Sequence, residues 1–227
     1  GHSLNYRLSQ KNLPFIYEDS TIFVGETASI VNEILLNRYL YANASSDEER
    51  LFYLSKEIEN YFTSVFKQTM YTEFEQNLYA QKRTKTLDAT ELSKRYGDII
   101  KTYYGDNIIC DEASFLDWTR LGHLYRWSFY PYKYATGLLI ASVIVHALET
   151  GTLTIEEYLE FLKSGSCKYS LDLLKILKID MSKSSVLQEG FEILKADIEK
   201  LESLLADVKS GEAQSMKLSP IDKKKDE

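Results

Sequence analysis

His2 and Glu26 are the residues of this sequence whose types and placing could hold a metal ion. An imidazole nitrogen or a carboxylate oxygen binds zinc at about 2.0–2.2 Å, and a catalytic site takes three protein ligands and leaves one position open. One solution is the H-E-x-x-H helix. Its two His share a face at i and i+4, the Glu between them is the general base, and the third ligand comes from a later helix. If His2 is the second His of such a motif, Gly1 is its last variable position, and the first His and the Glu stand upstream. Glu26 lies on the next predicted helix in a small, apolar stretch, Phe23-Val24-Gly25-Glu26-Thr27-Ala28-Ser29. A carboxylate buried there needs a partner, because an unpaired buried charge is costly. The residues alone also allow a plainer reading, a terminal His left by cloning and a solvated or salt-bridged helix Glu. Asp19 and Glu33 are candidate supports for a ligand, Glu33 lying two turns after Glu26.

A second group is aromatic. Tyr130 and Tyr134 are spaced to point the same way on a helix, whereas Tyr132 is not and reads as packing. His123 precedes them, and without further context it is a surface or core His. His146 falls inside an apolar helix and is expected to be a satisfied core His. Cys110 and Cys167 have no Cys or His neighbours at metal spacing and read as inert thiols.

The elements that must carry these groups are helices. Residues 3–11 read as the end of a helix closed by Asn12 and Pro14. The next helix spans about 21–43, with Val24, Ala28, Val31 and Leu35 on its core face. Ser45-Ser46 with Glu48 and Glu49 signals the start of the longest helix, about 46–83, with a stripe of Leu51, Leu54, Ile58, Phe62 and Val65. Asp88 with Glu91 opens another that ends at Gly105, and a short one is expected around Phe115 to Leu121. A strongly apolar helix runs from about 131 to 150. Thr154 with Glu157 forms a capping box for the helix to Leu162, Tyr169–Leu177 is short, and Val186–Val208 is long and amphipathic. No repeat or credible strand pair is visible, so the fold class is all-α. Residues 1–208 form one unit, and 209–227 are polar and expected to be disordered.

Composition narrows the function classes. Acidic residues outnumber basic ones 34 to 27, and no basic patch interleaved with aromatics appears, which argues against nucleic acid. The single cationic run, Lys223-Lys224-Lys225, lies in the polar tail. The apolar run from Ala135 to Ala147 is broken by Thr136, Ser142 and His146 and falls short of the roughly 20 residues that span a bilayer, so no membrane partner is expected. Two cysteines suit a reducing cytoplasm.

The wording around these residues goes further. Gly1-His2-Ser3, Gln10-Lys11-Asn12-Leu13-Pro14-Phe15-Ile16-Tyr17, and Ile22-Phe23-Val24-Gly25-Glu26-Thr27-Ala28-Ser29 resemble the oligoendopeptidase F family, relatives of thimet oligopeptidase. So do Lys67-Gln68-Thr69-Met70-Tyr71-Thr72-Glu73-Phe74-Glu75, His123-Leu124-Tyr125 with Phe129 through Gly137, and Tyr158-Leu159 through Gly165-Ser166. The match runs in order up to about residue 208. The resemblance implies an all-α part of a zincin-type catalytic domain in which His2 and Glu26 are zinc ligands. His123 with Tyr130 or Tyr134 would then contact the substrate and stabilise the oxyanion, as a phenol or imidazole N–H aimed at developing charge can do. It implies Zn2+ as cofactor, short peptides as substrates, and, as a further partner, an N-terminal portion of the same enzyme carrying the first His and the general-base Glu. The isolated chain is accordingly expected to bind zinc poorly and to be inactive. Asn5 stands where the family often has a further His, and Lys67 where Arg is usual. Two other readings stay open, a non-catalytic helical interaction module and one half of a split peptidase.

Overall fold

The computed structural model describes residues 1–82, 88–107 and 109–217. Among them there are helices and turns and no strand, as the sequence predicts. Helix α1 (His2–Asn12) ends at Leu13, which is extended because Pro14 follows. After a 3-10 turn at Phe15–Tyr17 comes α2 (Ile22–Ala42). Ser46 caps α3 (Asp47–Tyr61) by accepting from the Glu49 amide, and Glu49 reaches back to the Ser45 amide. Then follow α4 (Lys67–Lys82), α5 (Ala89–Tyr104), a 3-10 turn at Ser114–Arg120, α6 (Gly122–Arg126) and α7 (Tyr132–Glu149). The chain continues with α8 (Ile155–Lys163), α9 (Ser170–Leu174) and α10 (Ser185–Lys217). The predicted capping box of Thr154 and Glu157 is formed at the start of α8.

Helix α7 is the axis of the main core. Its residues from Leu138 to Val145 are buried on every face, and it packs chiefly against α2 and α10. Val24, Ala28 and Val31 of α2 meet it with no exposed surface, as their spacing predicts. Arg38 fastens this layer. It donates from Nε to Glu57 Oε1 of α3 at 2.9 Å and from its terminal nitrogen to Asp197 Oδ2 of α10 at 2.8 Å. A smaller core joins α4, α5 and the following turn through Met70, Tyr71, Phe74, Tyr96, Ile99 and Ile100.

Three expectations change. The single helix predicted for 46–83 is two, because Phe62–Phe66 form a π turn in which the Lys67 amide bonds the Phe62 carbonyl, five residues back. The extra residue rotates α4 out of phase with α3, so α3 faces the main core and α4 the smaller one. Phe62, placed on the apolar stripe by simple spacing, is half-exposed beside Tyr104, at 5.8 Å between rings. His146 is exposed in the last turn of α7 rather than held in the core. The expected tail 209–227 begins within α10, which runs to Lys217, and residues 218–227, including Lys223-Lys224-Lys225, lie outside the described residues, as does the predicted helix end at 83.

Candidate active site

Helix α1 starts almost in contact with α2. A Cβ on Gly1 would fall on the Ser29 backbone, so only a glycine lets the two helices come this close. Gly25 leaves open the space under the His2 ring, the position of its missing Cβ lying 3.5 Å from His2 Nδ1. This close crossing brings His2 Nε2 to 3.8 Å from Glu26 Oε2, with side chains 60% and 14% exposed. Two donor atoms each about 2.0–2.2 Å from one ion can be at most roughly 4.2 Å apart, so this nitrogen and oxygen are within reach of a shared cation. Among the described residues no group of three His, Cys, Asp or Glu side chains is gathered as a metal would need. An imidazole nitrogen and a carboxylate oxygen are donor types that zinc takes, and two of them do not complete a site.

The aromatic group closes on the same carboxylate. Tyr130 Oη donates to Glu26 Oε1 at 2.9 Å, leaving Oε2 toward His2. His123 of α6 stacks on Tyr130 with centroids 4.9 Å apart and planes within 8°, and meets the edge of Tyr134 at 6.0 Å. Tyr130 and Tyr134 pack edge to face at 5.4 Å. Burial, followed by hydrogen bonding with Tyr134 and Glu26, pushes the Tyr130 phenol above its usual range, so it stays a donor at neutral pH. The expected trio is thus one cluster, and it adjoins the His2–Glu26 pair. Tyr132, read from its spacing as packing, is 40% exposed.

The sequence profile of peptidase family M3 matches residues 1–193. The chain belongs to peptidase family M3. It is 34% identical to oligopeptidase PepF of Bacillus subtilis over 92% of its own length and 31% of that protein's. It is 32% identical to an oligoendopeptidase F homolog of Borreliella burgdorferi, over 90% of this chain and 35% of the relative. The crystal structure of oligoendopeptidase-F from Enterococcus faecium superposes with a TM-score of 0.77 at 25% identity, over 91% of this chain and 38% of the other. The chain therefore spans about a third of the length of the curated relatives it matches.

Within this M3 chain the other predicted residues fall as follows. Glu33 is exposed and accepts from Asn60 Nδ2 at 3.4 Å. Asp19 is exposed as well. Its neighbour Glu18 is the buried one, accepting from Tyr6 Oη at 3.1 Å. Asn5, which stands where the family often has a further His, is buried and donates to the Leu162 carbonyl at 2.9 Å, joining α1 to α8. Lys67 lies over the Tyr71 ring at 5.9 Å. Cys110 is half-buried and Cys167 exposed, both free. Among the described residues no helix is long and apolar enough to cross a membrane.

One residue was missed. Glu75 of α4 is 1% exposed and accepts from the Phe129 amide at 2.7 Å, immediately before Tyr130. Glu73 and Glu75 flank Phe74 in sequence, and nothing local says which faces inward. Glu73 accepts from Tyr103 Oη at 3.1 Å, while Glu75 enters the site wall.

Proposed function

We propose that this chain is the part of a zinc-dependent metalloendopeptidase of short oligopeptides that supplies two of its metal ligands and its oxyanion-side wall. The observation that carries the reading is convergence. An imidazole from α1, a carboxylate from α2 and a phenol from the approach to α7 meet around Glu26, within 3.8 Å and 2.9 Å of its two oxygens. Zinc, when bound, supplies a Lewis acid for the scissile carbonyl and a water of lowered pKa. His2 and Glu26 would hold it, and Tyr130 fixes which carboxylate oxygen is presented. Tyr134 and His123, at the far side of Tyr130, orient the peptide and donate toward the oxygen that gains charge. A preorganised donor there is worth a factor of about 10²–10³ in rate.

Two protein ligands do not make a catalytic zinc site, so the chain by itself binds zinc weakly and cleaves nothing. It becomes active when joined to a segment bearing a further His and a general-base Glu. Free thiols at Cys110 and Cys167 fit a cytoplasmic enzyme. The test is cleavage of a quenched fluorescent peptide with chelator and zinc add-back, by the chain alone and by the completed enzyme. The completed enzyme should lose activity to chelator and regain it with zinc, and Glu26→Ala should abolish both activity and tight zinc. Cleavage unaffected by chelator, or by Glu26→Ala, would sink the proposal.

A further inference from the structure

The segment that delivers Tyr130 to Glu26 is held in an unusual way. Phe129 has φ +56, in the left-handed region that a bulky residue rarely occupies. It is held there from α4. Glu75 Oε1 accepts the Phe129 amide at 2.7 Å, and the Tyr79 ring packs on Phe129 at 4.9 Å while its hydroxyl lies 2.7 Å from Ser128 Oγ. Glu75 itself is 1% exposed, and its Oε2 is buried with no hydrogen-bond partner among the described residues. A buried carboxylate with one oxygen unpaired is a poor stabiliser of a helix pair, so its retention calls for another reason. The reason on the page is geometric. The backbone turns at Phe129, and the next residue is the one whose hydroxyl reaches the carboxylate of Glu26 on α2.

We propose that Glu75 is a positioning residue of the active site, its carboxylate holding the Phe129 amide so that the left-handed turn presents Tyr130 to Glu26 and sets the His123–Tyr130–Tyr134 wall. The inference rests on the peptidase reading for its catalytic consequence and on geometry alone for the turn. The smaller core of α4 and α5 is thereby coupled to the candidate metal centre.

Three variants test it: Glu75→Ala, Glu75→Gln and Phe129→Gly. In the chain as it stands, amide exchange read by NMR reports the turn without metal or activity. Glu75→Ala should raise exchange at Phe129 at least about 10-fold relative to α7 amides, as expected for loss of a hydrogen bond to a charged acceptor. Glu75→Gln, which keeps an acceptor oxygen, should hold the rise to about threefold or less. Unchanged Phe129 exchange in Glu75→Ala overturns the proposal. In the completed enzyme, Glu75→Ala should lower kcat about 10–100-fold with KM within about threefold, as for loss of an outer-shell partner. Adding Phe129→Gly should restore part of that kcat, because glycine takes the left-handed turn without help. A kcat that stays at the parent value despite a released amide overturns the positioning role. A general loss of fold would instead raise exchange along α7 as well, and Glu75→Gln with Phe129→Gly then decides by the same two readouts. A parent enzyme that cleaves no peptide refutes the peptidase reading, while the exchange result still judges the turn.

Discussion

Replacing Tyr130 with Phe removes one oxygen atom, and with it the 2.9 Å donation to Glu26 Oε1 and the hydrogen bonding with Tyr134. The ring stays, and with it the stacking on His123 at 4.9 Å and the edge contact with Tyr134 at 5.4 Å. The loss is therefore one of polar contacts, and of these the bond to Glu26 is the one that orients the carboxylate. A hydrogen bond to a charged acceptor contributes about 1.5–3 kcal/mol, and the Glu26 side chain is only 14% exposed, so water replaces the phenol incompletely. Converted at about 1.4 kcal/mol per decade, that corresponds to roughly 10–100-fold in zinc affinity, the range found for partners behind a metal ligand. Tyr134 has no such bond to Glu26. Tyr134→Phe should leave zinc affinity within about threefold and lower kcat instead, since its hydroxyl is then missing from the substrate side. The assay is competition with a chromophoric chelator on the completed enzyme, with kcat and KM measured on the same samples. Equal zinc affinity in Tyr130→Phe and the parent would refute the assignment of this phenol to Glu26. Equal effects of the two phenols on zinc would refute the division of labour.

Two further perturbations test the scaffold. Glu57 and Asp197 are 7% and 4% exposed, burial raises both carboxyl pKa values, and Arg38 opposes the rise. Because the folded values lie above the unfolded ones, near 4, their stabilising share is present at low pH and is lost as pH climbs through the folded values. Arg38→Met removes the opposing cation and widens that window. It should cost about 3–5 kcal/mol at pH 7, with the deficit growing between pH 5 and 8 by at most about 1.4 kcal/mol per unit for each carboxyl. Denaturant titrations across that range check it, and a deficit flat in pH would contradict the burial argument. Gly165 has φ +47, and a Cβ there would fall on the Tyr17 carbonyl oxygen, which also accepts from the Ser166 amide at 2.9 Å. Gly151 has φ +72 with open space around it. Thermal unfolding should therefore place Gly165→Ala below Gly151→Ala by about 1–3 kcal/mol, and equal losses would show that the close approach carries no weight.

What the sequence made legible was what local rules govern. The caps at Ser46, Asp88 and Thr154 are formed as their side chains predict, each accepting from the amide three residues on. The α2 stripe follows because a helix buried on one face repeats with its own pitch. The π turn at Phe62–Phe66 was not legible, since no residue there breaks a helix and the extra residue is stabilised only by the two cores it serves. His146 was misjudged because apolar neighbours on both sides say nothing about where α7 leaves the core. For the site, the resemblance to the oligoendopeptidase F family named His2, Glu26, His123, Tyr130 and Tyr134, where spacing alone left plainer readings open for each. Which of them touch is a tertiary fact, and Glu75 and Phe129 enter only once α4 is laid against the segment before α7.

The buried carboxylates of this fold also separate by what satisfies them. Glu57 and Asp197 share a guanidinium, and Arg38 already occupies the place between them that a cation would take. Glu75 is committed to a backbone amide and sealed from solvent. Glu18 is buried and accepts from the Tyr6 hydroxyl. Glu26 differs from all of these. Its partners are a phenol and an imidazole, groups that orient a carboxylate without neutralising it unless the imidazole is protonated, and its second oxygen opens toward a side chain that is 60% exposed. Under the proposed function, an oriented and reachable carboxylate beside a second donor atom is what a divalent ion would use. The same arrangement would be a poor choice for stability alone, because a charged donor in place of Tyr130 would hold Glu26 more strongly.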